Sequence, residues 1–163
     1  MSTLCTQACP LGWITLETDS ASDTHASQQE VIKALHFSDD IEQAIAPSTP
    51  LQRLACQQLD EYFSAQRQHF DLPLDPQGTA FQQQVWQALL TIPHGEHRSY
   101  KYIAEQIHNS KAVRAVGLAN SRNPIALIIP CHRVIGANGK LVGYAGGIER
   151  KAWLLKHEAA ITS

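Results

Sequence analysis

Long apolar runs are missing from this chain of 163 residues, and cysteine is sparse. No stretch approaches the ~20 apolar residues that a membrane-spanning helix needs, so no membrane partner is expected. The first residues show no basic segment followed by an apolar one, which argues against a secretory signal. Four cysteines in such a chain are typical of free thiols in a reducing cytoplasm. We therefore expect a cytoplasmic protein, and nothing in the composition requires an oligomer rather than a monomer.

Although the formal net charge is only -2 at pH 7, the charges are distributed unevenly. Residues 1–78 carry three basic and eleven acidic residues, a balance of -8, whereas residues 79–163 carry ten basic and four acidic ones, a balance of +6. A basic half is what contact with phosphates requires. The alternative is that the two halves only attract each other.

The first half of the chain predicts a small α/β domain. After a turn at residues 10–12, residues 13–18 have the composition of a strand, and residues 19–30 are typical of a loop. Residues 31–37 fit either a strand or a short helix. Apolar residues at helical spacing then predict a helix over residues 51–63.

A possible metal site in this half is formed by Cys5 and Cys9 with His25 or His36. Their spacing fits no strong ligand motif, and no second cysteine pair follows. Surface or core thiols explain them better, so we expect neither a metal nor another cofactor.

The expected fold class is α+β, with two domains. The turn Asp75-Pro76-Gln77-Gly78 sets the boundary between an α/β domain over residues 1–76 and a mostly helical domain over residues 77–163. The second domain carries the basic excess, so any contact with nucleic acid is expected there.

Three helices open the second domain. Thr79 and Gln82 form a capping-box pattern that begins the first helix. The second begins near Ser99 and the third spans about residues 112–119, and the tight break between them is typical of a helix-turn-helix. Core packing of an ordinary helical hairpin gives the same pattern, so this signal alone leaves DNA binding open.

The other face of the third helix carries Arg114, Gly117, Leu118 and Ser121. A helix that reads the major groove usually offers several long hydrogen-bonding side chains, and this face offers one arginine. Small residues instead suit close approach to the minor groove.

The most informative stretch is Ile129-Pro130-Cys131-His132-Arg133, which follows an apolar segment expected to be a strand. Proline restricts the backbone before the cysteine. The adjacent histidine and arginine are the kind of groups that lower a thiol pKa, so the pattern predicts an activated nucleophile. The alternative is an inert buried cysteine.

Two features follow the cysteine. Asn138-Gly139 predicts a two-residue turn between two short apolar segments, and residues 143–147 form a small-residue loop with one aromatic, which could lie over a flat ring. The last helix, over about residues 148–157, places Lys151 and Glu158 on one face, where both could point at the cysteine. The alternative is a solvated charged face.

Together these segments resemble the O6-alkylguanine-DNA alkyltransferases (methylated-DNA–protein-cysteine methyltransferases) over about residues 51–158. The motifs that carry the resemblance are Gly78-Thr79-Ala80-Phe81-Gln82, Arg114-Ala115-Val116-Gly117, Asn123-Pro124, Pro130-Cys131-His132-Arg133, Gly143-Tyr144-Ala145-Gly146-Gly147 and Lys151-x-Trp153-Leu154-Leu155-x-x-Glu158. Leu118 departs from the family pattern, which has glycine or alanine there. By the same resemblance the first domain is expected to be ribonuclease-H-like.

The resemblance implies a protein that flips O6-alkylguanine, and also O4-alkylthymine, out of double-stranded DNA through minor-groove contact. The alkyl group passes irreversibly to Cys131, once per molecule. His132 would take the thiol proton through a water and Glu158 would orient His132. Tyr100 and Lys151 would stabilise or protonate the departing guanine.

The resemblance also implies residues that bind rather than react. Arg114 would fill the gap left by the flipped nucleotide, Asn123 would tie the recognition helix to the active site, and Arg133 would be a structural ion-pairing residue. The remaining members of the expected DNA- and base-binding set are Ser99, Val134, Tyr144 and Ala145.

Three rival functions stay open at this point. A non-catalytic sensor of alkylated DNA would lack the acceptor cysteine, and Cys131 is present. A cysteine hydrolase would need an oxyanion hole and repeated turnover. A helix-turn-helix transcription factor would need sequence-specific base contacts, for which the small-residue helix face offers few groups.

Overall fold

The structure is a computed structural model, and it describes residues 2–20 and 29–159. The chain divides into two compact units, Met1–Gln77 and Gly78–Ser163. Both helices and strands are present, which confirms the α+β class. No helix in the described ranges is long and apolar enough to cross a membrane.

The first unit is a three-stranded antiparallel sheet covered by one helix. Strands β1 (Thr3–Cys9), β2 (Gly12–Ser20) and β3 (Glu30–Ser38) pair in the order β1-β2-β3, and helix α1 spans Pro50–Phe63. Alternate side chains of β2 are buried, as expected for a strand with one solvated face. Ala55, Leu59 and Tyr62 form the buried stripe of α1.

Two predictions for this unit are settled by strand pairing. Residues 31–37, which fitted either element, lie in β3. The loop predicted for residues 19–30 is wrong at both ends, because Asp19 and Ser20 belong to β2 and pair with Val31 and Glu30. The ladder overrides the polar composition of these positions. Residues 21–28 of that predicted loop, including His25, lie outside the described residues.

The second unit is mostly helical. Its helices are α2 (Ala80–Leu89), α3 (Tyr100–Gln106), α4 (Val113–Ser121) and α5 (Ile148–His157). Two short strands, β4 (Arg98–Ser99) and β5 (Val134–Ile135), pair in parallel. Helices α3 and α4, separated by the break at residues 107–112, form the helix-turn-helix pair. The buried indole of Trp86 on α2 donates to the carbonyl of Ala119 on α4 at 2.9 Å, which joins these helices.

Side-chain caps define where α2 and α3 begin. Thr79 Oγ1 accepts from the backbone N–H of Gln82 at 3.1 Å, and Gln82 Oε1 accepts from the backbone N–H of Thr79 at 2.9 Å, so the predicted capping box is confirmed. Ser99 Oγ accepts from the N–H of Tyr102 at 3.0 Å and caps α3 in the same way.

Of two predicted backbone features around the cysteine, one is wrong and one is confirmed. The apolar segment before it is a buried turn rather than a strand, with Leu127 at φ 72° and an N–H···O bond of 3.1 Å from Ile129 to Ile125. The turn predicted at Asn138 and Gly139 is present, since both have positive φ, 64° and 78°, and Gly136 N–H donates to the Lys140 carbonyl at 2.7 Å. The segments beside it do not pair with each other as strands. Instead, β5 pairs with β4, a partner distant in sequence that local pattern does not reveal.

Candidate active site

Cys131 opens a short 3₁₀ turn over Cys131–Arg133 and is only 2% exposed. The turn that precedes it is held by Asn123, whose Nδ2 donates to the Ile129 carbonyl at 2.8 Å and whose Oδ1 accepts from Ile125 N–H at 3.0 Å. The Asn123 side chain is also hydrogen-bonded to the Cys131 thiol. One buried amide thus positions both the backbone and the sulfur.

The prediction that its sequence neighbours lower the pKa of this thiol is wrong. Burial raises the pKa of Cys131 to about 11, and the hydrogen bond from Asn123 and the charge of Lys151 offset only part of this effect. His132 and Arg133 do not lower the thiol pKa, because His132 Nε2 and the Arg133 guanidinium are both directed at Glu158. The resting group is therefore a protonated thiol, and ionisation requires a base during the reaction.

A histidine able to accept a proton lies beside the thiol in sequence, in a buried cluster around Glu158. His132 Nε2 lies 2.9 Å from Glu158 Oε2. Arg133 donates to both carboxylate oxygens, from Nε at 2.8 Å and from Nη2 at 3.0 Å, while its Nη1 donates to the Ile92 carbonyl at 2.7 Å. Three charged or polar side chains are thereby withdrawn from water without leaving the carboxylate unpaired.

The protonation state of this cluster follows from its bonds. Although burial opposes it, the hydrogen bonds from His132 and Arg133 lower the pKa of Glu158, so the carboxylate is ionised. Burial lowers the pKa of His132, so the imidazole is neutral at neutral pH. A carboxylate only accepts, so Nε2 carries the hydrogen and Nδ1 holds a free lone pair. Nδ1 is buried and has no hydrogen-bond partner among the described residues.

Tyr100 and Lys151 meet at one backbone carbonyl. Tyr100 hydroxyl donates to Val142 O at 3.0 Å, and Lys151 Nζ donates to the same atom at 2.7 Å. Burial lowers the pKa of Lys151 to about 8 and raises the pKa of the Tyr100 phenol. Lys151 is fully buried on α5, so the alternative of a solvated charged face is wrong for it, and equally wrong for Glu158.

The loop after β5 supplies aromatic and small residues beside these groups. Tyr144 is buried, its ring centroid lies 6.5 Å from that of His132 in an edge-to-face arrangement, and its hydroxyl has no partner within the described part of the chain. Gly143 has φ 67°, and a Cβ there would come within 3.2 Å of the Tyr100 hydroxyl. Val134 is buried, whereas Ala145 is exposed.

Other predicted residues lie away from this cluster. Arg114 is exposed on α4, next to Ala115 and one turn before Leu118, which is 52% exposed. The exposed face of α4 therefore carries small side chains apart from Arg114 and Leu118. Ser99 has the local structural task of capping α3.

Sequence reasoning missed Asn120 as an individual site residue. It is 1% exposed, its Nδ2 donates to the Cys131 carbonyl at 3.3 Å, and its side chain is hydrogen-bonded to Tyr100. Its Oδ1 is buried without a partner in the described structure. A polar residue directly after Ala119 in the buried stripe of α4 was the available signal.

Comparison with known proteins shows which family has this arrangement. Residues 80–160 match the family model for 6-O-methylguanine DNA methyltransferase, DNA binding domain. A methylated-DNA–protein-cysteine methyltransferase of Methanosarcina mazei is 52% identical over 138 residues, which are 82% of this chain and 87% of that protein. The matched region is thus that of a DNA-binding methyltransferase.

Solved structures agree over the length of the chain. The crystal structure of Mycobacterium tuberculosis O6-methylguanine methyltransferase has a TM-score of 0.80 and 46% identity, covering 100% of this chain and 96% of that one. The crystal structure of Mycobacterium tuberculosis OGT in complex with DNA has a TM-score of 0.79 and 48% identity, covering 96% of this chain and 92% of that one. The chain belongs to the methylated-DNA–protein-cysteine methyltransferase family, and is an enzyme of DNA repair.

Proposed function

We propose that this protein repairs O6-alkylguanine in duplex DNA by moving the alkyl group irreversibly to Cys131, once per molecule. The observation that carries the proposal is the buried Cys131 thiol followed directly by a neutral His132, whose Nδ1 is free to accept a proton. The other ring nitrogen is held by an ionised Glu158. A general base needs such a neutral ring, with a hydrogen held on one nitrogen and a free lone pair on the other.

The side chains of the site account for each proton and bond that changes in the alkyl transfer. His132 takes the thiol proton through a water, the sulfur attacks the alkyl carbon, a C–S bond forms and the C–O6 bond breaks. The electron pair stays on the purine, which needs a proton to leave. Tyr100 or Lys151 supplies it, and the His132 proton returns to solvent. The thioether product is not exchanged by a second thiol, so the molecule is consumed.

The DNA side of the proposal rests on α4. An alkylated base inside the stack is out of reach, so it must be flipped into the site. The small α4 surface suits the minor groove, with Arg114 filling the space that the base leaves. Asn123, at the end of the same helix, holds the turn that carries Cys131. Val134, Tyr144 and Ala145 would line the base pocket, while Arg133 stabilises the Glu158 cluster.

The test is intact-protein mass after incubation with a duplex that carries one O6-methylguanine. We expect a gain of about 14 mass units, localised to Cys131, saturating at one per chain and absent in Cys131→Ser. A parallel duplex with O4-methylthymine tests the wider substrate range. Tight lesion binding without a mass change would instead support a non-catalytic sensor, and binding set by sequence rather than by lesion would support a transcription factor.

Arg114→Ala separates flipping from chemistry. This variant should lose most of its transfer rate on duplex DNA and keep its rate on free O6-benzylguanine, which needs no flipping. Lys156→Ala, a change at an exposed position on α5, is the matched control. Equal losses on both substrates would contradict the role proposed for Arg114.

A further inference from the structure

Two cysteines of the first unit face each other between β1 and α1. Thr3, Cys5 and Gln7 alternate onto one side of β1, and Gln52, Cys56 and Asp60 are spaced one turn apart on α1. Side-chain bonds join these two rows on either side of the cysteines. They run from Gln52 Nε2 to Thr3 O at 3.2 Å, from Gln7 Nε2 to Cys56 O at 3.3 Å, and from Gln7 Nε2 to Asp60 Oδ1.

The register therefore sets Cys5 against Cys56, and their thiol groups are hydrogen-bonded to each other. Both are free thiols in the structure. Two thiols that hydrogen-bond between packed elements face each other, and facing side chains are one of the geometric requirements for a disulfide.

The two thiols differ in access. Cys5 is 1% exposed, within the interior between sheet and helix. Cys56 is partly exposed and lines a surface groove of about 490 Å³ together with Arg53, Gln57 and Ser64. A small oxidant can reach Cys56 from the groove, whereas the packed sheet and helix shield Cys5.

The two thiols also differ in acidity. The hydrogen bond with Cys5 lowers the pKa of Cys56, against the opposing effects of burial and Asp60, whereas the same bond and burial raise the pKa of Cys5. These directions agree with the difference in access, since they favour ionisation of the partly exposed Cys56 and keep the proton on the buried Cys5. This division matches an attacking and a resolving thiol.

We propose that Cys56 and Cys5 form a peroxide-reactive dithiol, separate from the alkyl acceptor, that closes to a reversible disulfide. The Cys56 thiolate attacks one oxygen of hydrogen peroxide, the O–O bond breaks, and the hydroxide that leaves takes up a proton. Cys5 loses its proton and attacks the sulfenic sulfur, and a second water leaves. Two thiols are oxidised, one peroxide is reduced to two waters, and a dithiol reductant reverses the change.

The proposal includes a preference among the cysteines. Cys131 is only 2% exposed, and burial raises the pKa of its thiol, so it should react with peroxide more slowly than Cys56. Oxidation of the first unit would then leave the alkyl acceptor intact. This inference does not depend on the proposed repair reaction.

The test is graded hydrogen peroxide treatment of the full chain, followed by alkylation of the remaining thiols, digestion and peptide mass mapping. We expect an early loss of about 2 mass units and a crosslinked pair of peptides carrying Cys5 and Cys56, reversed by dithiothreitol. Cys131 should stay alkylatable at that stage. Because the mapping uses the unaltered chain, it does not depend on a variant that folds.

Variants sharpen the assignment. Cys9→Ser, in the same strand, should leave the crosslink unchanged, and Cys56→Ser should abolish it. Cys5→Ser should stop at a Cys56 sulfenic acid, which dimedone traps. A Cys5–Cys9 crosslink, oxidation of Cys131 before Cys56, or no loss of mass at peroxide levels that oxidise free cysteine would each overturn the proposal.

Discussion

Glu158 shows how one residue can serve both stability and chemistry. Its two oxygens are shared between Arg133 and His132 inside the protein. Removing the charge leaves the Arg133 guanidinium buried without a counter-ion, a type of change that costs about 3–5 kcal/mol. It also weakens the acceptor that keeps the hydrogen on His132 Nε2.

We therefore expect Glu158→Gln to lower the free energy of unfolding by about 3–5 kcal/mol and to slow alkyl transfer. Urea denaturation and single-turnover transfer assays measure the two effects. Glu149→Gln, at an exposed position of the same helix, is the control. The sign of the pH effect follows from the lowered pKa of Glu158: its contribution is fully present above the ordinary glutamate pKa of 4.5 and is lost as pH falls below it.

A second prediction at the residue scale concerns Lys151. Burial lowers its pKa to about 8, so an ammonium able to donate a proton is lost as pH rises through that value. Ionisation of Cys131 alone, with a pKa of about 11, would make the rate rise over the same range. We expect the transfer rate to fall above about pH 8, and Lys151→Met to be slower by about a hundredfold at neutral pH and to lack this fall. If the transfer rate of Lys151→Met fell equally above that pH, Lys151 would be excluded as the cause of the fall.

At the scale of elements, the important connection runs from the end of α4 to the turn before Cys131. This turn is buried and contains Leu127 in the left-handed region, where a non-glycine residue is strained. Asn123 satisfies the Ile129 carbonyl and the Ile125 N–H within it. The amide thus offsets the strain by supplying bonds that regular secondary structure would otherwise provide.

Asn123→Ala leaves the Ile125 N–H without its partner, at a cost of about 1–3 kcal/mol. The Ile129 carbonyl loses one bond and keeps the one from Cys131 N–H at 2.7 Å. We expect a loss of about 1–3 kcal/mol in unfolding free energy and a slower transfer to Cys131, measured by urea denaturation and single-turnover kinetics. Asn123→Asp keeps the acceptor and loses the donor, so it should lie between. Asn109→Ala, at an exposed position, should change neither quantity.

At the scale of the whole molecule, charge is divided along the chain, with +6 over residues 79–163 and -8 over residues 1–78. Electrostatic attraction to DNA should therefore arise from the second unit and weaken with salt. In a plot of log affinity for duplex DNA against log salt concentration, Lys111→Ala should reduce the slope by about one. Lys111 is exposed in the break before α4. Arg53→Ala, in the acidic half, should leave the slope unchanged, and a change there would contradict this division.

Local sequence was sufficient for the parts that depend on neighbours along the chain. The helices were predictable because apolar spacing and capping residues act within one or two turns, as the capping box at Thr79 and Gln82 shows. The family, and with it the expected alkyl acceptor, was predictable because its motifs recur in fixed order along the chain.

Other features required tertiary structure because they depend on residues distant in sequence. His132 and Arg133 looked like activators of the adjacent thiol, but Glu158, some 25 residues away, binds both, and burial instead raises the pKa of Cys131. Contacts between residues distant in sequence also explain three other features. These are the pairing of β5 with β4, the role of Asn120 and the contact of Cys5 with Cys56. Sequence determined which groups the protein has and the elements that carry them, whereas long-range packing decided which groups meet, how far each is withdrawn from water and so which of them hold a proton.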